Sequence, residues 1–302
     1  MFGQGSTIRQ RRLWNSKAAI RVYALARRIA ERVGLQIVIK TYYSPIPDLA
    51  TLPEGIWDQP DPLRGIELDL DAQVSRLGSS LARYITEFAP RGTPGHAYQQ
   101  DNASYPPPDA RLLYAVVRDL RPNSIVELGS GQTSRVIAQA CMANAEEGTQ
   151  VHFQAFDPYP IAIDETLPGL SALERIPAQE VSEEVFTALE DGDILFVDTT
   201  HTVKIGSDVN QIILRILPLL ASGVVVHFHD VCLPYEYPRY LFEDYALYWA
   251  EQYLLQAFLA MNQDFEVLYA THALCRDRES ATNRTGLAEP GESGSSFWIR
   301  RR

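Results

Sequence analysis

The sequence predicts an α/β fold: a mostly parallel sheet with helices on both faces, closed by an antiparallel C-terminal hairpin and preceded by an N-terminal helical extension. Three observations predict it. From Asp109 onward, helix-period segments and short β-branched runs alternate; the last two such runs follow one another with no helical pattern between them; and Met1 to Thr41 differs from the remainder in charge. With 302 residues, of which 46% are hydrophobic and 22% charged, the chain can bury one large core with or without a smaller appendage. The expected division is a segment 1–95, holding a basic helix, a Pro-rich lid loop and a further helix, and a ligand-binding domain 96–302.

Met1 to Thr41 carries nine Lys or Arg and a single acid, Glu31, against 18 basic and 37 acidic residues in the remainder. Between Lys17 and Val33, the residues Ala18, Val22, Leu25, Ala26, Ile29 and Val33 share one helical face, with Lys17, Arg21, Arg28 and Arg32 along its flank. Such a helix can dock on the acidic body of its own chain or a sister subunit, lie on an anionic membrane surface, or belong to a cleavable leader. The next stretch, Tyr42 to Asp48 and on through Pro60 and Pro62, is too rich in proline for helix or central strand, because proline fixes φ and lacks a donor. An ordered loop or lid is expected there, then a helix over Asp71 to Phe88 and a Gly/Pro-rich linker from Ala89 to Pro108.

Helices are predicted at Arg111–Leu120, Thr133–Ala145, Ser182–Leu189, Val209–Leu220 and, as one long element, Arg239–Met261. Strands are predicted at Ser124–Leu128, Val151–Phe156, Leu173–Ile176, Asp193–Val197, Gly223–His229, Phe265–Ala270 and Ser296–Ile299. The segment Arg276 to Ser295, rich in Gly, Glu, Asn and Ser, reads as a mobile excursion between the last two strands.

A net charge of −11 offers no broad cationic surface for nucleic acid. Cys141, Cys232 and Cys275 are far apart and form no CxxC pair, so neither a disulfide framework nor a thiolate metal knot is encoded, and a reducing, cytoplasmic setting is expected. No apolar run of about 18 residues and no secretory h-region occurs.

The chemistry-bearing residues sit at strand ends. Ser124–Leu128 runs into Gly129-Ser130-Gly131 and then a helix, the context in which glycines admit a ligand to the backbone and to free helix N–H groups. Glu127 ends that strand, Asp157 ends the next and Asp198 a third. A second-strand acid can accept both ribose hydroxyls of an adenosine, which assigns Asp157. A carboxylate at Glu127 suits a cationic amino-acid tail and repels a pyrophosphate, and no Gly-Lys-Ser/Thr is present for a triphosphate. Asp198-Thr199-Thr200-His201 and His227-Phe228-His229-Asp230 end neighbouring strands. His201 is the expected general base, Asp198, His229 and Asp230 together are a candidate set for a divalent cation such as Mg2+, and His227 is a core histidine.

With Val126-Glu127-Leu128-Gly129-Ser130-Gly131, Asp157-Pro158-Tyr159-Pro160 and Gly192 to Asp198 in this order, the sequence resembles the class I S-adenosylmethionine methyltransferases over residues 100 to 302. The resemblance implies a Rossmann-like methyltransferase fold. It also implies S-adenosylmethionine as cofactor, with Glu127, Gly129, Ser130, Gly131, Asp157, Gln179 and Asp198 around it, Gln179 being the adenine contact. Where that family has a third glycine this chain has Thr133, which can instead cap the helix. The Asp-x-x-His motif and the second strand end look like the metal-dependent small-molecule O-methyltransferases, except that His229 stands where those enzymes have Glu. The implied reaction is methylation of a small-molecule hydroxyl, with His201, His229 and Asp230 as catalytic residues. Tyrosines in Cys232 to Tyr240 and in Tyr42 to Asp48 are suited to wall the acceptor. A nicotinamide oxidoreductase and a catalytically silent binding subunit are the alternatives.

Overall fold

The computed structural model describes residues 16–39, 43–92 and 95–302, so the run before Ser16, Tyr42 of the expected lid and Pro94 of the linker lie outside the described residues. The chain divides into two compact units, Met1–Ile56 and Trp57–Arg302, a boundary earlier than the one expected near residue 95.

In the first unit the expected helix is present as α1 (Lys17–Glu31), opened by Ser16, whose Oγ accepts from the Ala19 amide at 3.3 Å. Val22, Leu25, Ile29 and Val33 of its apolar face are exposed. The Pro-rich stretch holds a single turn of 3₁₀-helix at Leu49–Thr51, as proline content requires.

The second unit contains a seven-stranded sheet of order β3-β2-β1-β4-β5-β7-β6. Its strands are β1 (Ser124–Leu128), β2 (His152–Phe156), β3 (Ala172–Glu174), β4 (Ile194–Val197), β5 (Val225–Phe228), β6 (Phe265–Ala270) and β7 (Phe297–Arg301). The first five are parallel; β7 runs antiparallel to both β5 and β6, so the expected C-terminal pair is present with β7 inside and β6 at the edge. This is the Rossmann-like α/β sheet of the expected class.

Strand alternation sorts the core into two layers. Ile125, Ile194, Phe196, Val225 and Trp298 join one apolar cluster, whereas Val126, Leu195, Val197, Val226, Phe228 and Ile299 join the other. Helices α4 (Pro107–Leu120) and α5 (Gln132–Glu146) supply the first layer. The second is supplied by α6 (Glu183–Thr187), by α7, which starts at Asp208–Gln211, and by α9 (Glu251–Leu259). After Gln211, α7 widens to a π-helical turn at Ile212–Ile216 and tightens to 3₁₀ at Leu217–Leu219, where Pro218 brings no N–H to continue the ladder.

Three expected elements are corrected. The helix over Asp71 to Phe88 is two helices, α2 (Leu70–Leu77) and α3 (Ala82–Glu87), because the Ser79 and Ser80 hydroxyls bond back to the Ser75 and Arg76 carbonyls just past Gly78. The helix over Arg239 to Met261 is also two, α8 (Arg239–Glu243) and α9, separated by a loop in which Ala246 takes a left-handed φ of +53°. The excursion from Arg276 to Ser295 is ordered: α10 (Thr271–Asp277) and α11 (Glu279–Arg284) occupy its first part.

Asp109 holds this C-terminal connection to the sheet. It is fully buried on α4 and accepts from Thr271 Oγ1 at 2.6 Å, from the Ser295 and Ser296 amides at 2.7 and 3.1 Å and from Ser296 Oγ at 2.7 Å. Replacing it strands several buried donors, each costing roughly 1–3 kcal/mol. We expect Asp109→Ala to lose about 3 kcal/mol or more of stability, read as a lower urea midpoint at unchanged m.

Candidate active site

The strand order reverses between β1 and β4, and the carboxyl ends of the strands there are the crevice in which sheets of this kind bind ligands. Gly129 leaves β1 with φ +90°, and a Cβ on it would stand 1.9 Å from the Asp198 carbonyl oxygen, so only glycine lets the loop after β1 pass the end of β4. The Gly129 amide donates to Phe156 O and the Asp198 amide to Leu128 O, both at 2.9 Å, which ties the three strand ends together. A Cβ on Gly131 would meet nothing within 4 Å, so the backbone of the loop faces open space. Ser130 Oγ donates to Asp157 Oδ2 at 2.6 Å, and Asp157 Oδ1 accepts from the Tyr159 amide at 2.7 Å. Gln179 is exposed in a 3₁₀ turn after β3, its Nε2 3.4 Å from Gly206 O.

Two of the residues around the loop differ from expectation. Glu127 is fully buried beneath it and accepts from Thr133 Oγ1 at 2.6 Å and Ser134 Oγ at 2.7 Å, so it braces the start of α5 and presents nothing to a ligand tail. Burial pushes its carboxyl up to about 8 against the two hydroxyl bonds. Thr133 is accordingly not a cap; the Gly131 amide donates to Ser134 Oγ at 3.0 Å.

Between the ends of β4 and β5, Asp198, His201, His229 and Asp230 converge. Asp198 Oδ1 lies 3.4 Å from His201 Nε2 and 3.5 Å from His229 Nδ1; Asp230 Oδ2 lies 3.7 and 3.5 Å from the same two nitrogens. His201 and Asp230 both hold left-handed backbone at φ +53°, strain of the kind found where a site over-determines its residues. Burial opposes the charge on each imidazole, but the carboxylates outweigh it: Asp198 and Glu251 hold His201 well above the ordinary histidine range, and Asp230 and Asp198 raise His229 to about 9. Burial likewise opposes ionisation of Asp198, and the two histidines beside it hold its carboxyl well below the usual range. The expectation that His201 titrates near its unperturbed value therefore fails.

These carboxylate oxygens already face imidazole nitrogens, and among the described residues no group of three or more His, Cys, Asp or Glu is arranged to hold a metal ion. The donor set Asp198, His229 and Asp230 does not fit the divalent cation expected from the sequence. His227 is the expected core histidine, stacked on Phe196 at 3.9 Å and held neutral by burial and by the His229 charge.

Asp198, His229 and Asp230 line a cavity of 730 Å³ together with Tyr237, Tyr240, Tyr245 and Trp249, with Asn102, Ser104 and Ser295 among its polar groups. Tyrosines of the Cys232 to Tyr240 stretch thus wall the cavity, as expected, while Tyr43 to Asp48 belongs to the other unit. His201 does not line it; it sits behind the carboxylates, 4.6 Å from the Trp249 ring.

Sequence reading missed Trp249, Ser295 and Glu251. Ser295 Oγ donates to Asp230 Oδ1 at 3.0 Å and lies 3.4 Å from His229 Nε2; Glu251, fully buried, lies 2.8 Å from His201 Nδ1. The run Tyr245 to Glu251, with three aromatics in five residues, was the signal available for the first and last of these.

Residues 126–231, which span the loop, the Asp157 strand end and the Asp198 and Asp230 strand ends, match the family described as a methyltransferase domain. The match covers about a third of the chain and marks it as an enzyme of methyl transfer. Solved structures it is similar to include the apo-structure of CmcI, at 16% identity over 65% of this chain and 71% of that one with a TM-score of 0.41, and CmcI with SAH, at 14% over 70% and 88% with a TM-score of 0.39. A methyltransferase from Geobacter sulfurreducens aligns at 16% identity over 78% and 92% of the two chains, with a TM-score of 0.37. No curated protein matches the sequence. No described helix is long and apolar enough to cross a membrane.

The methyltransferase's Glu127 generates a pH dependence of stability. Its folded value, about 8, lies above the ordinary 4.5, so the unfolded chain releases this proton more readily, and stability present below about 4.5 is lost as pH rises through 8. Glu127→Gln keeps an acceptor for the hydroxyls and removes the titration. The difference in urea midpoint between variant and wild type is expected to grow in favour of Gln from pH 5 to pH 8.

Proposed function

We propose that this methyltransferase moves the S-adenosylmethionine methyl group onto a hydroxyl oxygen of a small molecule seated in the 730 Å³ cavity. The observation that carries this reading is the cavity lining: Asp198, His229 and Asp230, an aromatic wall beside them, and no Lys or Arg among its lining residues. Such a wall suits an acceptor with an apolar face and hydroxyls, and the one cationic ring in the lining, His229, is already matched by Asp198 and Asp230.

The open backbone at Gly131 and the Asp157 carboxylate, held beside the loop by Ser130, fit the cofactor. Asp157 would hold the ribose hydroxyls, Gly129, Ser130 and Gly131 would lie along the amino-acid portion, Asp198 would border the transferred group and Gln179 would meet the adenine. When bound, the cofactor supplies an electrophilic methyl on a sulfonium. A neutral hydroxyl is a poor nucleophile and must lose its proton as the new bond forms. Since His229 borders the cavity and His201 does not, the base role expected of His201 passes to His229, with Asp230 and Asp198 orienting it. No step is assigned to a metal. The basic helix α1 is read as an element of assembly between copies, and the three buried free cysteines fit a cytoplasmic setting.

Calorimetry with S-adenosylhomocysteine tests the cofactor site: wild type should bind and gain Tm. Asp157→Ala should lose both while its unliganded Tm stays within a few degrees of wild type. Undiminished binding by the variant removes Asp157 from the ribose.

Turnover against pH tests the base. His229 must be unprotonated to act, so kcat/KM should rise with pH and level off near 9, falling about tenfold per unit below that. His229→Ala should lose this limb and about 10²- to 10⁴-fold of turnover while still binding S-adenosylhomocysteine. Dialysis against EDTA should leave wild-type activity intact. Activity abolished by chelation and restored by Mg2+ would overturn the metal-free assignment.

A further inference from the structure

The turn entering α9 touches both the cavity and the charged cluster behind it. Trp249 lines the cavity. The Ala250 and Glu251 amides donate to the His201 carbonyl at 2.9 and 3.2 Å, which also satisfies free N–H groups at the start of α9. The Glu251 side chain turns back to the same residue, with Oε2 2.8 Å from His201 Nδ1. Glu251 is 1% exposed, and its Oε1 is buried with no hydrogen-bond partner, so the bond to His201 is the only side-chain compensation for burying this carboxyl. Carboxylate oxygens accept, so Nδ1 carries a proton toward Glu251, and with His201 held in its charged form Nε2 carries one as well. Nε2 is thereby directed at Asp198 Oδ1 and Asp230 Oδ2, 3.4 and 3.7 Å away on the cavity wall.

We propose that Glu251 is a positioning residue for methyl transfer: by accepting from Nδ1–H it fixes the ring orientation of His201, which sets the spacing of Asp198 and Asp230 and so the orientation of His229. Glu251 touches neither the cavity nor the cofactor residues and acts only through His201. The inference rests on the reading of Asp198, His229 and Asp230 as the chemical edge of the acceptor cavity. A glutamate selected only for folding would be replaceable by any side chain that restores stability. A positioning residue must present an acceptor oxygen at one place.

Glu251→Gln keeps that oxygen at the same reach, and Glu251→Ala removes it. Glu251→Ala should lose roughly 10²-fold in kcat, the scale of a catalytic group misplaced by about an ångström, with KM for S-adenosylmethionine and Kd for S-adenosylhomocysteine unchanged. Glu251→Gln should recover kcat to within a few-fold of wild type. In ¹⁵N-histidine NMR, with the His201 signals assigned by their disappearance in His201→Gln, the hydrogen-bonded Nδ1–H should be protected from exchange with water in wild type and Glu251→Gln and lose that protection in Glu251→Ala. Wild-type kcat in Glu251→Ala, or equal losses in the Ala and Gln variants, overturns the proposal, and the Gln comparison decides it even where the Ala variant unfolds. Should the wild-type chain transfer no methyl group at all, the reading of the cavity fails, and an unchanged protection of the His201 Nδ1–H in Glu251→Ala would separately refute the positioning role.

Discussion

The approach of the Gly129 backbone to the Asp198 carbonyl is the constraint on which the site depends. Two strands that neighbour each other in the sheet but not in sequence must end side by side, and the loop after the first must cross the end of the second without a side chain. With glycine there, the loop facing open space at Gly131, the acid Asp157 after β2 and the Asp198 to His201 turn all gather at one point of strand reversal. Any Cβ would push the ends of β1 and β4 apart.

Around that point, charge is balanced within the protein. Asp198, Asp230 and Glu251 surround the two imidazoles of His201 and His229, each carboxyl facing a ring nitrogen. Where the metal-dependent enzymes of similar pattern have a glutamate, this chain has His229, and a cationic ring replaces one more acid at that position. Low local dielectric makes each of these pairings strong and each unpaired group costly, so the cluster behaves as one unit. The left-handed backbone at His201 and Asp230 is held in place by it: the His201 carbonyl is bonded by the start of α9, and the Asp230 carboxylate by Ser295.

The 730 Å³ cavity owes its existence to an interruption. Had Arg239 to Met261 continued as one helix, Tyr245 and Trp249 would sit on a regular surface. The break between α8 and α9 turns Tyr245, Leu247 and Trp249 toward Asp198 and His229, and α9 restarts where the His201 carbonyl accepts its first amides. Ser295 reaches the same wall from the far side because Asp109 fixes its amide, so the C-terminal connection is part of the site.

By itself the sequence determined the class of fold, all seven strands to within two residues at each end, the Gly129 to Gly131 loop and the acids at the strand ends. These follow from period-two and helical patterning and from the need for glycine at one turn, all of them local properties. Side-chain direction and burial were decided only in three dimensions. Glu127 lies under the loop because Thr133 and Ser134 claim both its oxygens, and His201 lies behind the cavity because Glu251, fifty residues further on, holds its Nδ1. The same holds for the break at Ala246 and for the order in Arg276 to Ser295: their patterns permitted a continuous helix and a loose loop, and packing against distant residues chose otherwise.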